Sequence, residues 1–117
     1  MALEHVQLGR LPVSRLILGG NPFSGFSHQG VERDAAMRQY FTTANIKATL
    51  RQAESLGITT LCARADHHMM RLLLEYWDDG GTLQWLAQTC PELGSIERGI
   101  QNAIHGGATA CYLHGGV

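Results

Sequence analysis

A chain of 117 residues with a formal net charge of −1 and a pI near 6.6 offers no electrostatic basis for binding nucleic acid or an anionic membrane. No apolar run approaches the roughly 18 residues of a membrane span, and the N-terminus carries no signal-peptide pattern. Charged residues make up 16% of the chain against about 25% in typical domains, which predicts extensive burial, in an assembly as well as in a core.

The cysteines, Cys62, Cys90 and Cys111, are odd in number, widely spaced and each in or beside an expected strand. That pattern predicts buried free thiols in a reducing compartment, and so a cytoplasmic protein.

In chain order, Leu3 to Leu8 and Leu11 to Val13 flank a Gly9-Arg10 turn and predict an N-terminal β-hairpin. Arg15 to Leu18 is a short apolar run ending at Gly19-Gly20-Asn21-Pro22, the first expected core strand. Phe23 to Phe41 is a long connection with one helical stretch over Asp34 to Tyr40, and connections of this length are usually active-site loops or disordered insertions.

Ile46, Leu50, Ala53 and Leu56 then recur at helical spacing behind a cap from Thr42, Thr43 or Asn45. Gly57 ends that helix, and Ile58 to Ala63 forms the second strand. The strand runs into Arg64-Ala65-Asp66-His67-His68, where side chains capable of chemistry arrive together. The next helix, with Met69, Met70, Leu72, Leu73, Leu74, Tyr76 and Trp77, is apolar nearly all round and predicts burial between neighbours. Asp78 and Asp79 oppose its dipole and are expected outside the last turn.

Thr82 to Gln88 is the third strand. Ser95 caps a helix with the stripe Ile96, Ile100, Ala103 and Ile104, and Ala108 to Leu113 is the fourth strand, followed by His114. The alternation predicts a single α/β domain over residues 1–117. Its parallel β/α repeats run in order, with all strand ends on one face. Such repeats belong either to a doubly wound sheet or to a (β/α)8 TIM barrel, of which this chain could supply about half.

Leu8-Gly9-Arg10-Leu11-Pro12-Val13-Ser14-Arg15-Leu16-Ile17-Leu18-Gly19-Gly20 resembles the opening of the aldo-keto reductase family, a TIM-barrel family. Gly57-Ile58-Thr59-Thr60-Leu61 looks like that family's second strand. Tyr112-Leu113-His114 looks like its fourth, whose terminal His belongs to the catalytic tetrad. The chain departs from the rest of the tetrad. Cys62 stands where the catalytic Asp aligns, with Asp66 four residues on. The family's proton-donating Tyr aligns near His67, where this sequence has no Tyr, and Gln88, Thr89 and Cys90 occupy the Lys position. The resemblance therefore implies a diverged, aldo-keto-reductase-like N-terminal half-barrel without reductase activity.

On these grounds His114 and Asp66 are the catalytic candidates, and Asn21, Arg64 and His67 the candidate ligand contacts. Two other readings stand beside this one. Asp66, His67, His68 and His114 could supply metal ligands for a hydrolase or isomerase, although neither metal nor cofactor is identified by any motif. The chain could instead be a non-catalytic half-barrel assembly module. Asp66 also has the bland role of capping the helix after it, Arg64 that of an ion pair with Asp66 or Glu92, and Asn21 that of satisfying a turn. Cys62 has the bland role of packing. Unpaired edge strands, and apolar flanks expected on Leu72, Tyr76, Ile100 and Ile104, predict a homo-oligomer. The expected ligand is a small molecule.

Overall fold

A computed structural model describes residues 3–90, 92 and 94–114. Its N-terminal hairpin pairs β1 (His5–Leu8) with β2 (Leu11–Ser14) antiparallel across the Gly9-Arg10 turn. β3 (Leu18–Gly19) follows, then α1 (Asn21–Ser24), α2 (Val31–Tyr40) and α3 (Thr43–Ser55). The remainder alternates strictly: β4 (Thr60–Arg64), α4 (His67–Asp78), β5 (Gln84–Thr89), α5 (Ile96–His105) and β6 (Ala110–Leu113).

The four strands β3 to β6 form one parallel sheet in sequence order. That order has no reversal of the kind that marks a doubly wound sheet. Alternation along each strand decides its two faces. Leu61 and Ala63 of β4, with Trp85 and Ala87 of β5, are buried against Ile46 and Leu50 of α3 and Leu72, Leu73 and Tyr76 of α4. The opposite face carries Cys62, Arg64, Leu86 and Gln88, all only half-buried. The sheet is thus packed with helices on one side and open on the other.

The hairpin closes the amino-terminal end of this sheet. Ser14 N–H donates to Thr59 Oγ1 at 2.8 Å, Thr59 N–H returns a bond to Ser14 Oγ at 3.0 Å, and Gln84 Nε2 donates to the Pro12 carbonyl at 2.8 Å. The opposite, carboxyl-terminal end is not covered by the hairpin. At that end Gly20 N–H donates to the Cys62 carbonyl, and a Cβ on Gly20 would lie 2.8 Å from that of Ala63. Only glycine lets the chain leave β3 so close to β4.

The fold differs from several of these expectations. The first core strand pairs over only Leu18 and Gly19, because the chain before it is held by the hairpin through Arg15 N–H to the Glu4 carbonyl. The helix expected from Asp34 starts at Val31, and Asn21–Ser24 adds a short turn of helix initiated by Pro22. Asp78 lies inside the last turn of α4, with Asp79 as its C-cap. α4 is not buried all round: Leu74 is 58% exposed. Only Gly99 and Ala103 of α5 are buried, while Ile96, Ile100 and Ile104 face solvent. Leu72 and Tyr76 belong to the core rather than to an open flank. Cys90 is buried, Cys62 half-buried and Cys111 exposed, and all three are free thiols.

Candidate functional site

Three side chains from three successive strands are joined on the open face. The Cys62 thiol donates to the Tyr112 hydroxyl at 3.2 Å, and that hydroxyl donates to Gln88 Oε1 at 3.0 Å. Burial, and then the bond from Cys62, push the Tyr112 phenol above its ordinary value of 10.0. The hydroxyl therefore stays protonated across the physiological range.

Arg64, two residues beyond Cys62 on the same face, ends β4. Its Nη1 lies 3.1 Å from Glu92 Oε2, its Nε 3.6 Å from Asp66 Oδ2, and its guanidinium carbon 4.9 Å from the centre of the Phe26 ring. A planar guanidinium suits this combination of two carboxylates and an aromatic face. Asp66 is the N-cap of α4, accepting the Met69 N–H on Oδ1 at 2.9 Å, so its carboxylate serves the helix and Arg64 at once.

Asn21 leaves β3 as the first residue of α1, with Nδ2 3.4 Å from Nε2 of His28. His28 has φ 60°, the one non-glycine in the left-handed region among the described residues, a conformation that clusters at binding sites. His114 follows β6 and is anchored by its own N–H to the Thr89 carbonyl at 2.8 Å. Asn21, His28, Arg64, Gln88, Glu92 and His114 line one cavity of about 160 Å³ at the carboxyl end of the sheet.

The candidate residues are thus only partly gathered. Asn21, Arg64 and His114 share the strand-end cavity, and Asp66 touches its edge through Arg64. His67 lies apart, in a groove between α4 and α5 with Met70, Arg71 and His105. It points there because α4 begins at His67, so its first turn rotates this side chain away from the sheet end. Among the described residues no three His, Cys, Asp or Glu side chains come close enough to hold a metal ion.

His28, Gln88 and Tyr112 are the members that sequence reasoning missed. Inward alternation on β5 and β6 was the available signal for Gln88 and Tyr112. His28 sits in a connection with no period to place it.

Among the described residues no helix is long and apolar enough to cross a membrane. Comparison of the chain with protein-family models, with curated proteins and with solved structures gave no match.

Proposed function

We propose that the chain is an aldo-keto-reductase-like unit with the architecture of an N-terminal half of a TIM barrel, binding a small molecule at its strand ends without carbonyl reductase activity. The observation that carries this is the convergence of Asn21, Arg64, Gln88 and His114 on one cavity, one contribution from the end of each parallel strand. Ligands of parallel α/β folds occupy that position. An in-order sheet with helices on one side, closed below by a hairpin, supports the barrel architecture.

In this reading His114 is the group that exchanges protons with the ligand and Asn21 and Arg64 orient it. Asp66 is a positioning residue that acts through Arg64. Reduction of a carbonyl by the family's route needs a carboxylate, a phenol and an ammonium at the strand ends. Cys62, the neighbourhood of His67, and Gln88, Thr89 and Cys90 stand at those positions, so hydride-transfer chemistry is not proposed. Free Cys62, Cys90 and Cys111 fit a reducing, cytoplasmic setting.

Amide spectra recorded with a panel of hydroxy acids, sugars and small carbonyl compounds test the reading. At least one compound should shift Asn21, Arg64, Gln88 and His114 saturably, and His114→Ala should weaken it by roughly tenfold, about one lost hydrogen bond. Simple aldehydes with NADPH should show no turnover above a protein-free blank. Turnover, or shifts confined to another surface, would overturn it.

A second reading, an assembly module, is favoured by one specific surface. Ile96, Ile100 and Ile104 of α5 and Leu113 of β6 are 43%, 38%, 69% and 51% exposed, beside a sheet whose edges β3 and β6 have no further strand among the described residues. Exposed apolar stripes and open edges favour association. Light scattering at micromolar concentration should then give a homodimer, twice 12.8 kDa. A clean monomer would remove this reading.

A further inference from the structure

Beside the strand-end cavity lies a larger one, of about 430 Å³, between the α1–α2 connection and the start of α4. The two share only Phe26 and Arg64. Its walls combine three phenylalanines with Ser24, Arg38, Arg64, Asp66 and His68: Phe23 and Phe41 meet edge to face with centroids 5.0 Å apart, and Phe26 lies over Arg64 and is 40% exposed. Volumes of 300 to 1,000 Å3, apolar with a few polar groups, are typical of small-molecule sites, on the order of this one.

The polar groups in this wall are unequal. Arg64 is committed to Asp66 and Glu92. Arg38, on α2, makes no hydrogen bond or ion pair with a described residue; the Asp34 carboxyl four residues back is held down first by its bonds from Ser27, whose N–H its Oδ1 accepts at 2.7 Å, and only secondarily by the Arg38 charge. The Arg38 side chain is nonetheless held in place. It lies across Gly25, where a Cβ would come within 2.6 Å of its Cγ and 2.7 Å of its Nη1. Gly25 has φ 77° and caps α1, so the absence of a side chain there both ends the helix and seats the guanidinium.

α2 itself buries none of its residues. A ten-residue helix is marginal without tertiary packing. A ligand filling the cavity would supply the packing surface that α2 lacks.

We propose that this cavity binds a small aromatic carboxylate, its ring among Phe23, Phe26 and Phe41 and its carboxylate on Arg38. The Arg38 fork donates two parallel N–H bonds to such a group. A monoanion fits better than a phosphate dianion, because the Asp66 carboxylate also lines the cavity and would repel the second charge. This inference goes beyond the strand-end site and does not require it.

The test uses phenylacetate as probe, with phenylacetamide and phenyl phosphate as comparison compounds, followed by amide spectra and hydrogen exchange on the full chain. Phenylacetate should shift amides of residues 23–41 saturably and slow exchange across Val31–Tyr40. The neutral amide and the phosphate should bind more weakly. Arg38→Gln, at an exposed position where folding is spared, should weaken phenylacetate by roughly tenfold or more, and Arg38→Lys should recover part of that. Equal binding of phenylacetate and phenylacetamide, or binding unchanged in Arg38→Gln, would overturn the proposal. So would shifts at Gln88 and His114 with none at 23–41, a result that would leave the strand-end site standing. Shifts at 23–41 alone would sustain it whatever becomes of that site.

Discussion

The Cys62 thiol donates to the Tyr112 hydroxyl at 3.2 Å although β5 lies between their strands. Adjacent strands stand about 4.8 Å apart, so a contact two strands away needs a side chain the length of tyrosine. Tyr112 leans across β5 and takes Gln88 as acceptor on the way. The open face is therefore pinned by one phenol.

Tyr112→Phe removes both bonds at once. The expected cost is about 1 kcal/mol, since the freed Cys62 and Gln88 groups are only half-buried and water can replace the phenol. Cys62 should also react faster with iodoacetamide, read by peptide mass spectrometry against the exposed Cys111 as internal reference. An unchanged Cys62 rate would show that the pair does not form in solution.

Glu54 ties α3 to the start of β5. Its Oε1 accepts from the Tyr76 hydroxyl, from Thr82 N–H and from Thr82 Oγ1, the last at 2.9 Å. Burial alone would raise this carboxyl, but the bonds from Tyr76 and Thr82 outweigh it and hold the group below its ordinary 4.5. Its contribution is present above that value and is lost as pH falls through the lower folded one. Glu54→Gln should cost about 1 to 2 kcal/mol at neutral pH by urea unfolding and flatten the acid limb of the stability profile. An acid limb unchanged from the parent would refute the assignment.

Tyr76 answers at the alkaline end. Burial, then its bond to Glu54, push the phenol from 10.0 up to about 12. The neutral form is the one the fold favours, so the stabilisation is complete below pH 10 and disappears as pH rises through about 12. Phenolate absorbance should show Tyr76 ionising only in that window with Tyr112, also raised, ionising late as well, and Tyr76→Phe should remove one of the two late steps. Ionisation of every tyrosine below it would contradict the buried geometry.

Gly81 faces the ring of the same tyrosine. A Cβ there would lie 2.3 Å from Tyr76 Cζ, and the ring cannot swing aside while its hydroxyl is bound to Glu54. Gly81→Ala should destabilise by about 1 to 3 kcal/mol through overpacking. Gly19→Ala is the control, because nothing lies within 4 Å of the added carbon. Equal urea midpoints for the two variants would show that Tyr76 is not fixed as described.

If α5 forms the contact of a homodimer, Ile100→Lys combined with Ile104→Lys should dissociate it without unfolding. Both side chains are exposed in the single chain, at 38% and 69%, so the substitutions leave its core intact. Light scattering and circular dichroism read the two quantities separately. A dimer that survives both changes would place the contact elsewhere.

Local chemistry in the sequence determined the elements and their caps. Thr42, Asp66 and Ser95 each accept an N–H in the first turn of the helix they precede, and the side-chain oxygen needed for this is visible three residues ahead. The parallel order followed from strand–helix alternation, because right-handed crossovers admit few alternatives. Periodicity could not say what covers each face. The isoleucine stripe of α5 has the spacing of a buried helix, yet burial is a property of neighbours, and Gly99 and Ala103 meet the sheet instead. The candidate site divided for the same reason. Asn21, Arg64 and His114 come together because strand ends are brought to one level by the ladder, which sequence order reflects. His67 leaves them because a helix turns about 100° per residue, so the side chain after a cap points away from the one before it. Tyr112 reaching Cys62, 50 residues away, and Arg38 resting on Gly25 depend on distances that only the folded chain sets.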